Sequence, residues 1–159
     1  FYRGLGIDDI DTVDVYSCFP SAVQVAAREL GLGLDDAARP LTVTGGLTFA
    51  GGPWNNYVSH SIATMAEQLV ANPGQVGLIT ANGGYLTKHS FGVYSTQPPA
   101  HEFRWEDVQS EVDAEPKVLA EDDWSGTGTV ESWTTPVTRD GVPEKVTFPL
   151  PKELQTPAA

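Results

Sequence analysis

The chain has 159 residues, with 9 Lys or Arg against 21 Asp or Glu, for a formal net charge of −12. That balance repels phosphate backbones and anionic lipid surfaces, and the length suffices for one core plus at most a small appendage. A single cysteine excludes an internal disulfide framework and no apolar run is long enough to span a bilayer, so the sequence predicts a cytoplasmic protein with neither a nucleic-acid partner nor a membrane span.

From Ile7 onward strands and helices alternate. Asp8-Asp9-Ile10-Asp11 is a polar turn, and residues 13–16 form a short strand with apolar residues on both faces, as in a sheet covered on both sides. Pro20 suits the first turn of a helix, in which Val23, Ala26, Ala27 and Leu30 make one buried stripe and which Gly31 ends. Asp35, Asp36 and Arg39-Pro40 lead to a second strand at 41–44. Residues 45–57 then hold Gly45, Gly46, Gly51, Gly52 and Pro53, a loop whose backbone must approach something closely. It lacks the Gly-Lys-Ser/Thr of a phosphate cradle and the Gly-x-Gly-x-x-Gly of a dinucleotide site.

A second helix starts near Asn55 or Asn56, with Ile62, Met65, Ala66 and Leu69 on its buried face, and stops at Asn72-Pro73-Gly74. A third strand covers 75–81 and a fourth covers 90–95, joined through the Gly83-Gly84 turn. This order predicts an α/β fold with a right-handed crossover and an antiparallel pair at the end. Gln97-Pro98-Pro99 marks a boundary, after which residues 97–116 read as an acidic surface linker. In 117–159, Val130, Ser132 and Thr134 alternate with Glu131 and Trp133, Asp140-Gly141 signals a hairpin, and Pro136 and Pro143 confine the strands to edges. Residues 149–151 and 156–159 read as tail.

Three segments in this order resemble the second half of the thiolase superfamily. Gly45, Gly46, Gly51 and Pro53 match its Gly-Gly-x-x-x-x-Gly-His-Pro loop, with Gly52 where the family has histidine. Upstream, Tyr16-Ser17-Cys18-Phe19 is similar to the Asn-Glu-Ala-Phe turn, or to His-Asp-Cys-Phe of the sterol-carrier type. Downstream, Asn82-Gly83-Gly84 stands at the Cys-x-Gly motif. The resemblance covers about the first hundred residues. It implies a thiolase-like half-domain over 1–96, with a mixed sheet, helices on both faces and the last strand antiparallel. A small β-rich extension over 117–159 would follow. Against that pattern Phe1 falls inside a helix, as in a fragment whose first strand and helix precede it. That missing strand would lie between 13–16 and 76–80, so those two are expected not to pair directly.

The resemblance also implies a coenzyme-A thioester as substrate or ligand, an acetyl-CoA acetyltransferase type of activity, no other cofactor and no metal. Its partners would be acyl-CoA and the N-terminal half of the same protein, with a homodimer allowed. Gly52 has no side chain to act as base, and Asn82 hydrogen-bonds but does not shuttle a proton, which removes the usual machinery of thiolysis. The candidates are therefore Tyr16, Asn82 and His89 for chemistry, and Gly46, Gly51, Gly52, Pro53, Gly83 and Gly84 for binding. Cys18 reads as a small buried apolar residue rather than a nucleophile. Tyr16 and Tyr57 suit either packing or ligand contact. His60, His89 and His101 have no metal-site spacing. Two alternatives stay open: an acyl-CoA retro-aldolase using tyrosine, and a non-catalytic acyl-CoA or lipid binding protein.

Overall fold

The computed structural model describes residues 4–99, 102–117, 125–127, 129–130 and 133–145. The chain divides into two units, Phe1–Phe103 and Arg104–Ala159. In the first, the elements are β1 (Thr12–Asp14), α1 (Pro20–Leu30), α2 (Tyr57–Ala71), β2 (Val76–Gly83) and β3 (Lys88–Ser95), with short 3₁₀ turns at Ile7–Asp9 and Trp54–Asn56. They build an open three-stranded sheet in the order β1-β2-β3, parallel then antiparallel.

The two faces of that sheet are covered by different helices, as side-chain alternation along a strand requires. Val13, Val15 and Leu78 pack with Ile10, Leu32 and Ala27 of α1, and Val23, Ala26 and Leu30 close over them. On the other face Ile79 packs with Met65 and Leu69 of α2, flanked by Val43, Val58 and Tyr94. The helix ends follow the sequence: Pro20 occupies the first turn of α1, and Gly31 ends it at φ 71°. There Gly31 N–H bonds the Arg28 carbonyl and Leu32 N–H bonds that of Ala27. Asn72 ends α2, its Nδ2 donating to the Gln68 carbonyl at 2.9 Å.

Three expectations are corrected. First, β1 and β2 pair directly, with Thr12 opposite Gly77, Val13 opposite Leu78 and Asp14 opposite Ile79. The ladder is prolonged at both ends, by Asp11 N–H to the Val76 carbonyl at 2.9 Å and Tyr16 N–H to Thr80 Oγ1 at 2.9 Å. The two edges satisfy each other instead of standing open. Second, residues 41–44 are not a strand. Val15 N–H bonds the Leu41 carbonyl at 2.8 Å, but Thr44 N–H turns to Thr42 Oγ1 at 3.2 Å and Gly46 N–H to Thr44 Oγ1 at 3.1 Å. Local side-chain acceptors thus take backbone donors that a ladder would need. Third, the buried seam of α2 is Tyr57, Ser61, Met65 and Leu69, whereas Ile62 and Ala66 face outward.

The hairpin is longer than expected, because the β2–β3 ladder continues to Gly83 opposite Lys88 and leaves a four-residue turn. In the second unit a helix α3 (Gln109–Ala114) forms within the stretch expected to be surface loop. Asp140-Gly141 makes the expected turn: Thr138 N–H bonds the Val142 carbonyl at 3.0 Å and Glu144 N–H that of Pro136 at 2.8 Å. Pro143, lacking an N–H, takes part only in an isolated bridge with Val137. Glu131, Ser132, His101 and the tail at 149–151 and 156–159 lie outside the described residues.

Candidate functional site

The three motifs read from the sequence converge on one turn, Tyr16-Ser17-Cys18, which follows β1. The Tyr16 backbone N–H donates to Thr80 Oγ1 on β2 at 2.9 Å. Ser17 Oγ accepts the N–H of Leu47, in the glycine loop, at 2.9 Å. Cys18 Sγ accepts from Asn82 Nδ2, near the end of β2, at 3.3 Å. The turn thus ties the glycine loop, 30 positions away, and the end of β2, 64 positions away, to one place.

Asn82 is the chemically unusual member. Its Oδ1 is buried and has no hydrogen-bond partner among the described residues. If the amide is turned over, the Cys18 S–H donates to Oδ1 and Nδ2 becomes the atom left over. In either orientation one polar amide atom is unsatisfied beside Cys18. Such a group costs free energy unless something pairs with it. Cys18 is half-buried and bonded to this amide, a polar partnership that the apolar reading of the cysteine did not include.

The glycine loop is shaped by left-handed backbone. Gly45 and Gly46 stand at φ 87° and 88°, Gly51 and Gly52 at 80° and 57°. A Cβ on Gly46 would lie 2.9 Å from Ser17 Oγ, so this glycine is required by close approach as well as by conformation. Around Gly52 nothing lies within 4 Å of a Cβ position. Beneath the loop is a cavity of about 230 Å³ walled by Val15, Val23, Leu41, Leu47 and Phe49, with Ser17, Thr42 and Thr48 as polar lining. Of the six binding candidates, Gly46 lines it. Gly83 ends β2, and Gly84, at φ 62°, opens the hairpin turn with Thr87 Oγ1 close to where its Cβ would be.

The candidates for chemistry are not all brought together. His89 is opposite Asn82 in the β2–β3 ladder and therefore on the same face. Its ring, however, is exposed, stacked on Phe91 at 6.4 Å, with Nε2 3.0 Å from the Leu86 carbonyl. The Tyr16 ring meets Tyr57 edge-on, with centroids 5.2 Å apart. Tyr57 is wholly buried, which settles it as an internal residue. His60 pairs with Asn56, and no group of three metal-binding side chains occurs among the described residues. No helix is long and apolar enough to cross a membrane among them.

Sequence reasoning missed a buried polar cluster behind the loop. Asp14, 0% exposed, accepts from Tyr57 Oη at 3.1 and 3.3 Å, and Thr44 Oγ1 lies 2.9 Å from the same phenol oxygen. Burial raises the Asp14 pKa from its ordinary value, partly offset by the hydroxyls of Ser61, Thr42, Tyr57 and Thr44. Burial, reinforced by the Asp14 charge, likewise raises that of Tyr57, so the phenol keeps its proton. The signal was available: Asp14 sits between Val13 and Val15 in a strand covered on both faces, where a carboxylate must find donors.

An open α/β sheet with a glycine loop tied to the turn after its first strand agrees with the thiolase-like fold that the comparisons find. Residues 107–148 match the family model described as the thiolase-like protein type 1 additional C-terminal domain. The chain is also 40% identical to a monomeric SCP2-thiolase like protein type 1 from Mycobacterium smegmatis, whose crystal structure aligns with a TM-score of 0.73 over 88% of this chain and 34% of that one. The chain is thus similar to the C-terminal part of the thiolase-like superfamily. It spans about a third of that relative's length. Comparison with curated proteins gives no match.

Proposed function

We propose that the chain supplies one wall of an acyl-CoA thioester site, in which Asn82 hydrogen-bonds the ligand but moves no proton. The observation that carries this is the unsatisfied amide atom of Asn82, beside the Tyr16-Ser17-Cys18 turn to which the glycine loop is also tied through Ser17. A thioester carbonyl would accept from Nδ2, and an amide N–H of the pantetheine arm would donate to Oδ1. The reading is supported by the absence of a base at Gly52, an exposed glycine with nothing within 4 Å of a Cβ position. Tyrosine-based retro-aldol chemistry is less favoured, since the Tyr16 ring is engaged with Tyr57.

The reading makes three expectations for the full-length protein. Thiolysis of acetoacetyl-CoA is negligible, and Gly52→His restores little of it because Asn82 leaves the second proton-transfer position empty. A long or branched acyl-CoA binds more tightly than acetyl-CoA in calorimetric titration. Asn82→Ala weakens that binding by about tenfold, the loss of one buried hydrogen bond. Robust turnover by the native sequence, or unchanged affinity in Asn82→Ala, overturns the reading.

A further inference from the structure

We propose that Asp14 is a positioning residue for the glycine loop, acting through Tyr57 and Thr44 on the N–H of Gly46. The geometry is a continuous run of hydrogen bonds. It leads from the Asp14 carboxylate to Tyr57 Oη (3.1 Å), from Tyr57 Oη to Thr44 Oγ1 (2.9 Å), and from Thr44 Oγ1 to the Gly46 nitrogen (3.1 Å).

With Asp14 ionised, counting protons gives one consistent direction for every bond of the run. An ionised carboxylate only accepts, so Tyr57 spends its single hydroxyl proton on Asp14. Thr44 must then be the donor at the Tyr57 contact, which leaves its oxygen lone pairs as the acceptor for Gly46 N–H. With the Thr44 proton used, Thr42 is the donor in the 3.2 Å contact between the two threonine hydroxyls. One charge buried in β1 thereby orients four hydroxyl and amide groups that reach into the loop. Gly46 lines the cavity, is itself buried, and shares its neighbourhood with Leu47, whose N–H is tied to Ser17. The relay and the Ser17 bond therefore hold two successive amides of the loop.

Proton uptake by Asp14 removes the condition that sets these directions. The groups facing Asp14 are Tyr57 and Ser61 from α2, Thr42 and Thr44 from the loop segment, and Ile79 from β2. Of these only Tyr57 ionises, and it does so well above the carboxylate range, so a pH response of the loop in the acid range reports on Asp14.

Amide hydrogen exchange on the full-length protein, resolved at Gly46 and at Leu78 of the sheet core, tests the inference. Tyr57→Phe cuts the relay while keeping the ring against Tyr16, and it is expected to speed Gly46 exchange about tenfold with little change at Leu78. Thr44→Val is expected to do the same and Thr44→Ser to restore protection, which keeps the test valid should Tyr57→Phe not fold. After correction for intrinsic rates, native Gly46 protection should fall as pH drops through the Asp14 titration, and this dependence should vanish in Tyr57→Phe. Equal loss at Leu78 and Gly46, failure of Thr44→Ser to rescue, or a pH-independent Gly46 overturns the inference.

Discussion

At the scale of single residues, the buried carboxylate has a consequence for stability that differs in sign from that of a paired surface acid. Because burial raises the pKa of Asp14 in the folded protein, the native state holds a proton that the unfolded chain has released over the interval between the two values. Stability then falls as pH rises across that interval and is flat beyond it, so the ionised form is the less stable one. Asp14→Asn removes this contribution. Urea midpoints of native and variant protein from about pH 4 to pH 8 should therefore show the variant gaining relative to the native chain as pH rises. A difference that does not change with pH would show that the carboxylate is held as well in its charged form as in water. Asp14 also explains the seam of α2: a polar Ser61 turns inward because the cluster needs hydroxyls there, and Ile62 is displaced to the outside. Hydrophobic periodicity alone points to Ile62, and only the demand for donors around Asp14 points to Ser61.

At the scale of elements, glycines separate two costs that sequence cannot tell apart. Gly31 ends α1 at φ 71° with nothing near a Cβ position, so Gly31→Ala should cost only the left-handed conformation, about 1 kcal/mol. Gly77 has an ordinary strand backbone, but a Cβ there would collide with the sulfur of Met65, which is fully buried. Gly77→Ala should then cost about 1–3 kcal/mol through overpacking between β2 and α2. The double variant Gly77→Ala with Met65→Ala should cost less than the sum of the two single variants, since each change relieves part of the other. Denaturant midpoints distinguish these outcomes, and equal costs at the two glycines would contradict the packing argument. The same contrast describes how far the sequence was legible. Helix ends were readable because Pro20, Gly31 and Asn72 act on their own immediate backbone. The glycine loop and the turn at Tyr16-Ser17-Cys18 were readable as motifs, but their mutual contacts were not, since Ser17 accepts from Leu47 only once the loop folds back on the turn, and Thr80 from Tyr16 only once β1 and β2 lie side by side. Residues 41–44 show the converse: the pattern suits a strand, yet Thr42 and Thr44 supply acceptors to their own backbone, a competition that alternation does not register.

At the scale of the whole molecule, charge is the dominant feature left unbalanced. The two ion pairs found among the described residues, Arg28 with Glu29 and Lys117 with Asp113, both join exposed side chains, and pairs of that kind contribute little. They leave the formal charge of −12 essentially as a field of like charges over the surface. Such self-repulsion weakens the compact state and is relieved by salt, because the screening length shrinks from about 30 Å at 0.01 M to about 8 Å at 0.15 M. The buried cluster around Asp14 is shielded from mobile ions and should not respond. Thermal melting in sodium chloride between about 0.01 and 0.15 M should therefore show a rising midpoint at neutral pH, with most of the gain at the low end. At a pH near 4.4, where the net charge approaches zero, the same salt series should leave the midpoint nearly unchanged. A midpoint that rises equally at both pH values would mean that salt acts on apolar hydration rather than on charge, and would remove self-repulsion from the account of this fold.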